Sequence, residues 1–283
     1  MQLKELYQIG KQSLSENSVQ TPGLESYLLL AKSNLIDSMT EVYSQGEKQI
    51  DREGINTFNN LLQRRLKWEP AAYIVGEKEF YSRSFKVNPF VLIPRPETEL
   101  LVDEVLNIIS NIDSPKILDI GTGSGCIAVT LAAMCSEASL VASDISEEAL
   151  MIAKENCDNH QVSGQVKFLK SDLLESIKES LFDVVVSNPP YVSEKEFCVL
   201  EAEVRDYEPR GALVAGTDGL LYIEKIISDS KRVLKDGGWC MIEIGQGQNN
   251  IVQRLFKKNG YSDISITKDL NGIQRVVRAK WKK

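Results

Sequence analysis

The chain has 283 residues, 42% of them hydrophobic and 26% charged, with a net charge of −7. That length and balance predict one substantial core with room for a smaller second domain. The acidic total argues against an enzyme that wraps duplex nucleic acid, where phosphate neutralisation dominates binding, and no apolar run is long enough to span a bilayer. The first residues lack the basic and apolar regions of a signal peptide, so a cytoplasmic protein is expected. Cys126, Cys135, Cys157, Cys198 and Cys240 are scattered and show no C-x-x-C spacing. Neither a disulfide framework nor a metal site is expected from them, and Cys126 and Cys135 read as small core residues.

Residues 1–70 read as short amphipathic helices with three apolar stripes: Leu3, Leu6 and Tyr7; then Leu24, Tyr27, Leu28 and Ala31; then Ile55, Phe58, Leu61, Leu62 and Leu66. Thr21-Pro22 predicts a cap with Pro at the first helical position. Arg64, Arg65 and Lys67 read as a solvated helix face, and Glu69-Pro70 as the end of the last helix. Residues 71–95 are β-rich, with apolar runs around Phe80, Phe85 and Leu92 and turn punctuation at Asn88-Pro89, predicting a hairpin linker. Residues 96–283 then alternate strands and helices, which predicts an α/β domain with a mostly parallel sheet.

In that domain the apolar strand Lys116–Ile120 runs into Gly121-Thr122-Gly123-Ser124-Gly125 and a helical pattern from Cys126. Strand, glycine turn and helix open a nucleotide-cofactor unit. The third glycine comes one residue too early for a dinucleotide fingerprint, and Asp119 before the turn is foreign to that pattern. The next strand ends at Asp144, roughly 20 residues on, where a carboxylate can accept both hydroxyls of a ribose. Ser146 reads as the cap of the following helix. A third strand ends at Asp172-Leu173 and a fourth at Asn188-Pro189-Pro190-Tyr191. The two prolines fix φ and remove donors, leaving a stiff turn of carbonyls, one amide and one ring. Such a turn suits a flat group that carries an NH2. Four strand ends in succession thus carry polar or glycine-rich turns, and ligands of open α/β sheets bind at that edge.

Beyond Tyr191, Leu220, Ile223, Ile226, Ile227, Val233 and Leu234 trace a helical face that stops at Asp236-Gly237-Gly238. A fifth strand is predicted over 239–244, a helix through Ile251, Val252, Leu255 and Phe256, and a closing hairpin around Asn271-Gly272. His160, the only histidine, lies in a polar turn and reads as a solvated loop residue.

The order of the glycine turn, Asp144, Asp172 and Asn-Pro-Pro-Tyr resembles class I S-adenosyl-L-methionine-dependent methyltransferases that modify planar NH2 groups. The segments Leu92-Ile93-Pro94-Arg95-Pro96-Glu97-Thr98-Glu99, Glu208-Pro209-Arg210-Gly211-Ala212-Leu213 and Gly216-Thr217-Asp218-Gly219-Leu220 narrow this. Together they look like the peptide chain release factor glutamine N5-methyltransferase family, over essentially the whole chain. The resemblance implies a Rossmann-like domain whose mostly parallel seven-stranded sheet ends in an antiparallel hairpin, behind a small helical, substrate-docking domain. It implies S-adenosyl-L-methionine held by Gly121, Thr122, Gly123, Ser124, Gly125, Asp144, Asp172, Leu173 and Asn188. The substrate amide would meet Asn188, Pro189, Pro190 and Tyr191. The Asn188 side-chain oxygen and the Pro189 carbonyl would accept both N–H bonds, and Tyr191 would stack on the amide. Arg95, Glu97 and Glu99 are expected to support the site rather than to catalyse. A monomer acting on release factors, without stable nucleic acid or membrane binding, follows. An N6-adenine or N2-guanine methyltransferase, or a non-catalytic adaptor, would share the fold.

Overall fold

In the computed structural model, which describes residues 1–178 and 181–283, the chain divides into two units. One comprises Met1–Glu77 with Glu201–Tyr207, the other Lys78–Leu200 with Glu208–Lys283.

The first unit is helical: Leu3–Glu16, Pro22–Lys32, Glu41–Ser44, Arg52–Leu66 and Ala71–Val75, joined by Ala202–Tyr207 from far along the chain. Leu3, Leu6, Leu29, Leu30, Phe58 and Leu62 form its core. The helix Pro22–Lys32 turns inward a face shifted from its predicted stripe, of which Tyr27 and Ala31 still pack against the core. Ser26, Leu29 and Leu30 are buried, while Leu24 is half exposed at 50%. Ser26 tolerates this because its hydroxyl donates to the Tyr7 carbonyl at 2.9 Å. Thr21 precedes Pro22 at the first turn as expected, but its side chain makes no capping bond; Asp51 does cap the helix Arg52–Leu66. Arg65 corrects the solvated-face reading. It is 4% exposed and ion-paired to both Glu25 and Glu203, while its neighbour Arg64 stays exposed against Glu69. Ala71–Val75, predicted as part of a hairpin linker, is helical and ends at Gly76 in the left-handed region.

A two-stranded ribbon, β1 Glu77–Phe80 and β2 Arg83–Lys86, lies in the second unit apart from its first residue, Glu77. The third apolar run, Val91 to Ile93, forms no strand; it is irregular, with Val91 and Ile93 buried. His160 is half-buried rather than a free loop residue. Its Nε2 meets the Ser84 carbonyl at 2.7 Å and its ring packs 4.9 Å from Phe85.

The main sheet contains β3 Lys116–Ile120, β4 Ser139–Asp144, β5 Val166–Lys170, β6 Phe182–Ser187, β7 Leu234–Glu243, β8 Ser262–Lys268 and β9 Gln274–Lys280. Their order is β5-β4-β3-β6-β7-β9-β8. The first five in that order pair in parallel, and β9 runs antiparallel to both β7 and β8. Successive residues of a strand face opposite sides, so Ile117, Val184 and Val186 join one core with Leu101, Val102 and Val105. Leu118, Val185 and Ile242 join the other with Ile223, Ile226 and Ile227. Both faces being covered, β6 reads as an unbroken apolar run, as parallel strands do. The helix Leu221–Ser230 is shorter than its predicted face, and Leu234 already begins β7, which passes Gly237-Gly238 with a register shift against β6. The chain builds β3, β4 and β5 outward, then returns to set β6 beside β3. This switch point places the ligand crevice at the carboxyl ends of β3 and β6.

Candidate active site

The tip of β3 is held from below. The Gly121 and Thr122 N–H groups donate to the Ser143 carbonyl at 2.8 and 2.9 Å. Asp119, fully buried, accepts from the Thr122 hydroxyl at 2.6 Å through Oδ2, whereas its Oδ1 has no partner among the described residues. Burial pushes the Asp119 carboxyl up to about 7, the Thr122 hydroxyl opposing and the neighbouring Asp144 adding to the rise. Gly121, Gly123 and Gly125 all have positive φ. A Cβ on Gly121 or Gly123 would meet no protein atom within 4 Å, so the turn presents bare backbone to open space. At Gly125 a Cβ would instead lie 3.0 Å from the Ala153 side chain, which keeps the following helix close.

At the tip of β4, Asp144 accepts from Gly123 N–H at 2.9 Å and Ser146 N–H at 3.0 Å. Burial raises its carboxyl, and the N–H groups of Ser146, Gly123 and Ile145 hold it down. Each oxygen retains a lone pair for a hydroxyl. At the tip of β5, Leu173 takes a left-handed φ of 47° beside Asp172.

The tip of β6 is tied to β3 by the Ser187 hydroxyl, which donates to the Ile120 carbonyl at 2.7 Å. Asn188 Nδ2 donates to Thr98 Oγ1 at 3.1 Å. The Tyr191 carbonyl accepts from Gln248 Nε2 at 3.0 Å, and a Cβ on Gly219 would sit 2.3 Å from that same carbonyl. This close approach accounts for the glycine in Thr217-Asp218-Gly219. Burial raises the Tyr191 phenol, with Glu243 adding to the rise. Glu243, 1% exposed at the end of β7, is pushed by burial up to about 7; its hydrogen bond from Thr98 and the Arg275 and Arg95 charges oppose this, and Glu97 adds to it.

Gly121, Thr122, Gly123, Ser124, Asp144, Asp172, Leu173, Asn188 and Pro190 line one cavity of about 550 Å³. Gly125, Pro189 and Tyr191 do not line it. Pro189 is buried, and the Tyr191 ring packs against the core beside Gly245. Arg95, expected to support the site, lines the cavity, and so do Pro89, Phe90 and Leu92, which sequence reasoning left out. Glu208 fixes this wall of the cavity by pairing with Arg95 and accepting from Ile93 N–H at 3.1 Å. Glu99 supports it at a distance, accepting from Tyr81 N–H at 2.7 Å. Asp119, Thr98 and Glu243 were also passed over as site residues. Asp119 and Glu243 had a legible signal, a lone acid inside an apolar strand. Among the described residues no cluster could hold a metal ion, and no helix is long and apolar enough to cross a membrane.

A mostly parallel sheet whose glycine turn, Asp144 and Asn188 line one cavity is the architecture of a Rossmann-like methyltransferase. The family model described as methyltransferase small domain matches residues 96–205, and the PrmC N-terminal domain matches residues 5–76. The release factor glutamine methyltransferase of Rhodopirellula baltica is 40% identical over 91% of this chain and 89% of its own length. That of Geobacter sulfurreducens is 38% identical over 93% and 91%. The chain belongs to the release factor glutamine methyltransferase family. Its fold is shared with the hMettl16 catalytic domain, solved with an RNA hairpin, at a TM-score of 0.62 and 18% identity over 77% of this chain and 84% of that one.

Proposed function

We propose that this enzyme transfers a methyl group from S-adenosyl-L-methionine to the side-chain nitrogen of a glutamine in peptide chain release factors. The observation that carries the reading is that Asn188 and the glycine cradle of β3 line the same cavity. The residues fit the cofactor: the open faces of Gly121 and Gly123 admit a ligand against the backbone, and Asp144 keeps acceptor capacity for ribose hydroxyls. When bound, the sulfonium supplies an electrophilic methyl group, so the chain needs no covalent nucleophile.

The residues then have to orient a weak nucleophile. A carboxamide nitrogen delocalises its lone pair into the carbonyl. Asn188 Oδ1, accepting one N–H, holds the amide plane and favours the positive charge that develops on nitrogen. Pro189 contributes by rigidity, since it fixes φ behind Asn188. The methylated amide is acidic enough to lose its proton to water, so a dedicated base is not required.

Selection of a protein over a base rests on surface outside the pocket, because any planar NH2 group fits an acceptor of this kind. We assign docking of the release factor to the helical unit, Met1–Glu77 with Glu201–Tyr207, acting through added contact area and effective concentration. The enzyme works as a cytoplasmic monomer on this reading. The test is transfer of labelled methyl to purified release factor, to the same factor with its glutamine changed to Glu, and to DNA and RNA. Label on the first alone is expected; label on nucleic acid but not on release factor overturns the reading.

A further inference from the structure

The turn Asn188-Pro189-Pro190-Tyr191 must keep Asn188 in place, yet it has little of its own to hold on with. Pro189 and Pro190 fix φ but have no N–H to give. Their rings make the turn stiff without settling where it lies. Upstream, the Ser187 hydroxyl ties it to Ile120. Downstream, the turn can offer carbonyls, so its second anchor has to be a donor brought from elsewhere in the chain.

Gln248 is that donor. Its Nε2 donates to the Tyr191 carbonyl at 3.0 Å and to the Gly219 carbonyl at 3.3 Å, and its Oε1 accepts from Gly245 N–H at 2.9 Å. One amide thereby spends both of its hydrogens and one acceptor site. It joins three segments: the turn after β6, the loop before the helix Leu221–Ser230 and the chain leaving β7. The approach is close. A Cβ on Gly219 would lie 2.9 Å from Gln248 Nε2, and one on Gly245 would lie 3.1 Å from Gln248 Oε1.

The residue's place in the chain suggests a plainer use, which the structure does not bear out. Gln248 stands at the N-cap of the helix Asn249–Lys258, where a side chain ordinarily satisfies its own helix. It makes no capping bond there; its amide is turned to Tyr191 instead. We propose that Gln248 is a positioning residue for methyl transfer, clamping the Tyr191 end of the turn so that Asn188 stays presented to the cavity. Gln248 does not line that cavity, so it acts through the turn. The inference rests on the methyltransferase reading above.

The test uses the full chain, S-adenosyl-L-methionine and purified release factor. Wild-type enzyme that transfers no methyl group to the factor defeats the functional reading before the variants are compared. Given wild-type activity, Gln248→Met keeps the length of the side chain and removes all three bonds. It should lower kcat by roughly 10- to 100-fold, the scale of a misplaced reacting group. KM for the factor and Kd for the cofactor should change less than about threefold. Gln248→Glu can still accept from Gly245 N–H but, ionised, cannot donate. It should show the same selective loss, and it carries the test should Gln248→Met fail to fold. A double-mutant cycle then separates positioning from general support of the fold. In an Asn188→Ala background there is no amide left to place, so the Gln248 substitution should cost less than about threefold in kcat. Wild-type kcat in Gln248→Glu, a loss confined to KM or cofactor Kd, or losses at Gln248 and Asn188 that simply multiply, would each overturn the clamp.

Discussion

On the proposed reading, the end of β3 meets the cofactor with backbone. Three positive-φ glycines leave no side chain on the cavity face, and the turn is held by bonds to Ser143 and Asp144 behind it. On the same reading the end of β6 meets the substrate with one side chain, and its backbone is immobilised by two prolines, by Gln248 and by the close approach of Gly219. The strands themselves are neighbours in register, Ile120 beside Ser187. What separates them is the ligand each must serve. A large cofactor gains from many weak backbone contacts that exclude other shapes. A small amide has few atoms to grasp, so one correctly oriented acceptor decides the outcome. Damage at β3 should therefore appear in binding and stability, and damage at β6 in turnover.

The largest expected effect comes from breaking the β6 tip. Asn188→Ala removes the acceptor but none of the glycine cradle. We expect kcat to fall roughly 10²- to 10³-fold, the scale of a lost preorganised polar contact, with cofactor affinity measured by calorimetry within a few fold of wild type. Full activity of this variant would erase the contrast between the two tips.

Breaking the β3 tip should act on a different observable. Asp119 is fully buried, and its carboxyl stands at about 7 against an unfolded value near 3.8, chiefly because burial disfavours the charge. A raised acid stabilises the fold fully below its unfolded pKa, and that contribution is lost as pH rises through the folded value. Asp119→Asn carries no charge at any pH. Its stability relative to wild type should thus be flat below about pH 4, climb between about pH 4 and 7, and level off above, reaching on the order of 4 kcal/mol. Denaturant midpoints of the cofactor-free proteins at pH 4 and pH 8 check this. A difference that shrinks with rising pH would mean that Asp119 is stabilised as a carboxylate by groups other than Thr122.

How much of this was legible in the sequence divides along the same line. Glycine turns and proline turns act locally, so their residue types announce them; alternating strands and helices announced a mostly parallel sheet, and its seven strands with a closing antiparallel hairpin were what the family resemblance implied. Contacts between distant residues left no such trace. Arg65 read as solvated because Glu25 lies 40 residues away, and Glu203 is farther still. Residues 202–207 gave no sign that they pack with the helical unit. In the helix Pro22–Lys32 apolar residues occur on several faces, so periodicity alone could not choose between Leu24 and Leu29. Thr98 was hidden for another reason: a threonine before a helix is ordinarily a cap, and only the position of Asn188 gives its hydroxyl a second use.

The smallest expected effect sharpens the comparison at Tyr191. This residue follows the prolines and was expected to stack on the substrate amide, yet its ring packs into the core beside Gly245 and does not line the cavity. If the ring acts by holding the turn, its area matters and its hydroxyl does not. Burial raises the phenol, with Glu243 adding to the rise, so the group stays neutral across the working range and contributes no charge to the site. Tyr191→Phe keeps the ring and its van der Waals contacts. Its kcat should remain within about twofold of wild type, under roughly 0.5 kcal/mol, as is usual for changes that create neither a cavity nor an unpaired group. The pH profile of kcat should superimpose on that of the wild type. Tyr191→Ala, which removes the ring from beside Gly245, should by contrast lower thermal stability and kcat together, because Asn188 is only three residues away on the same stiff turn. A pH profile displaced in Tyr191→Phe would show that the hydroxyl takes part after all, and would move Tyr191 from the scaffold of the turn into the chemistry that Asn188 performs.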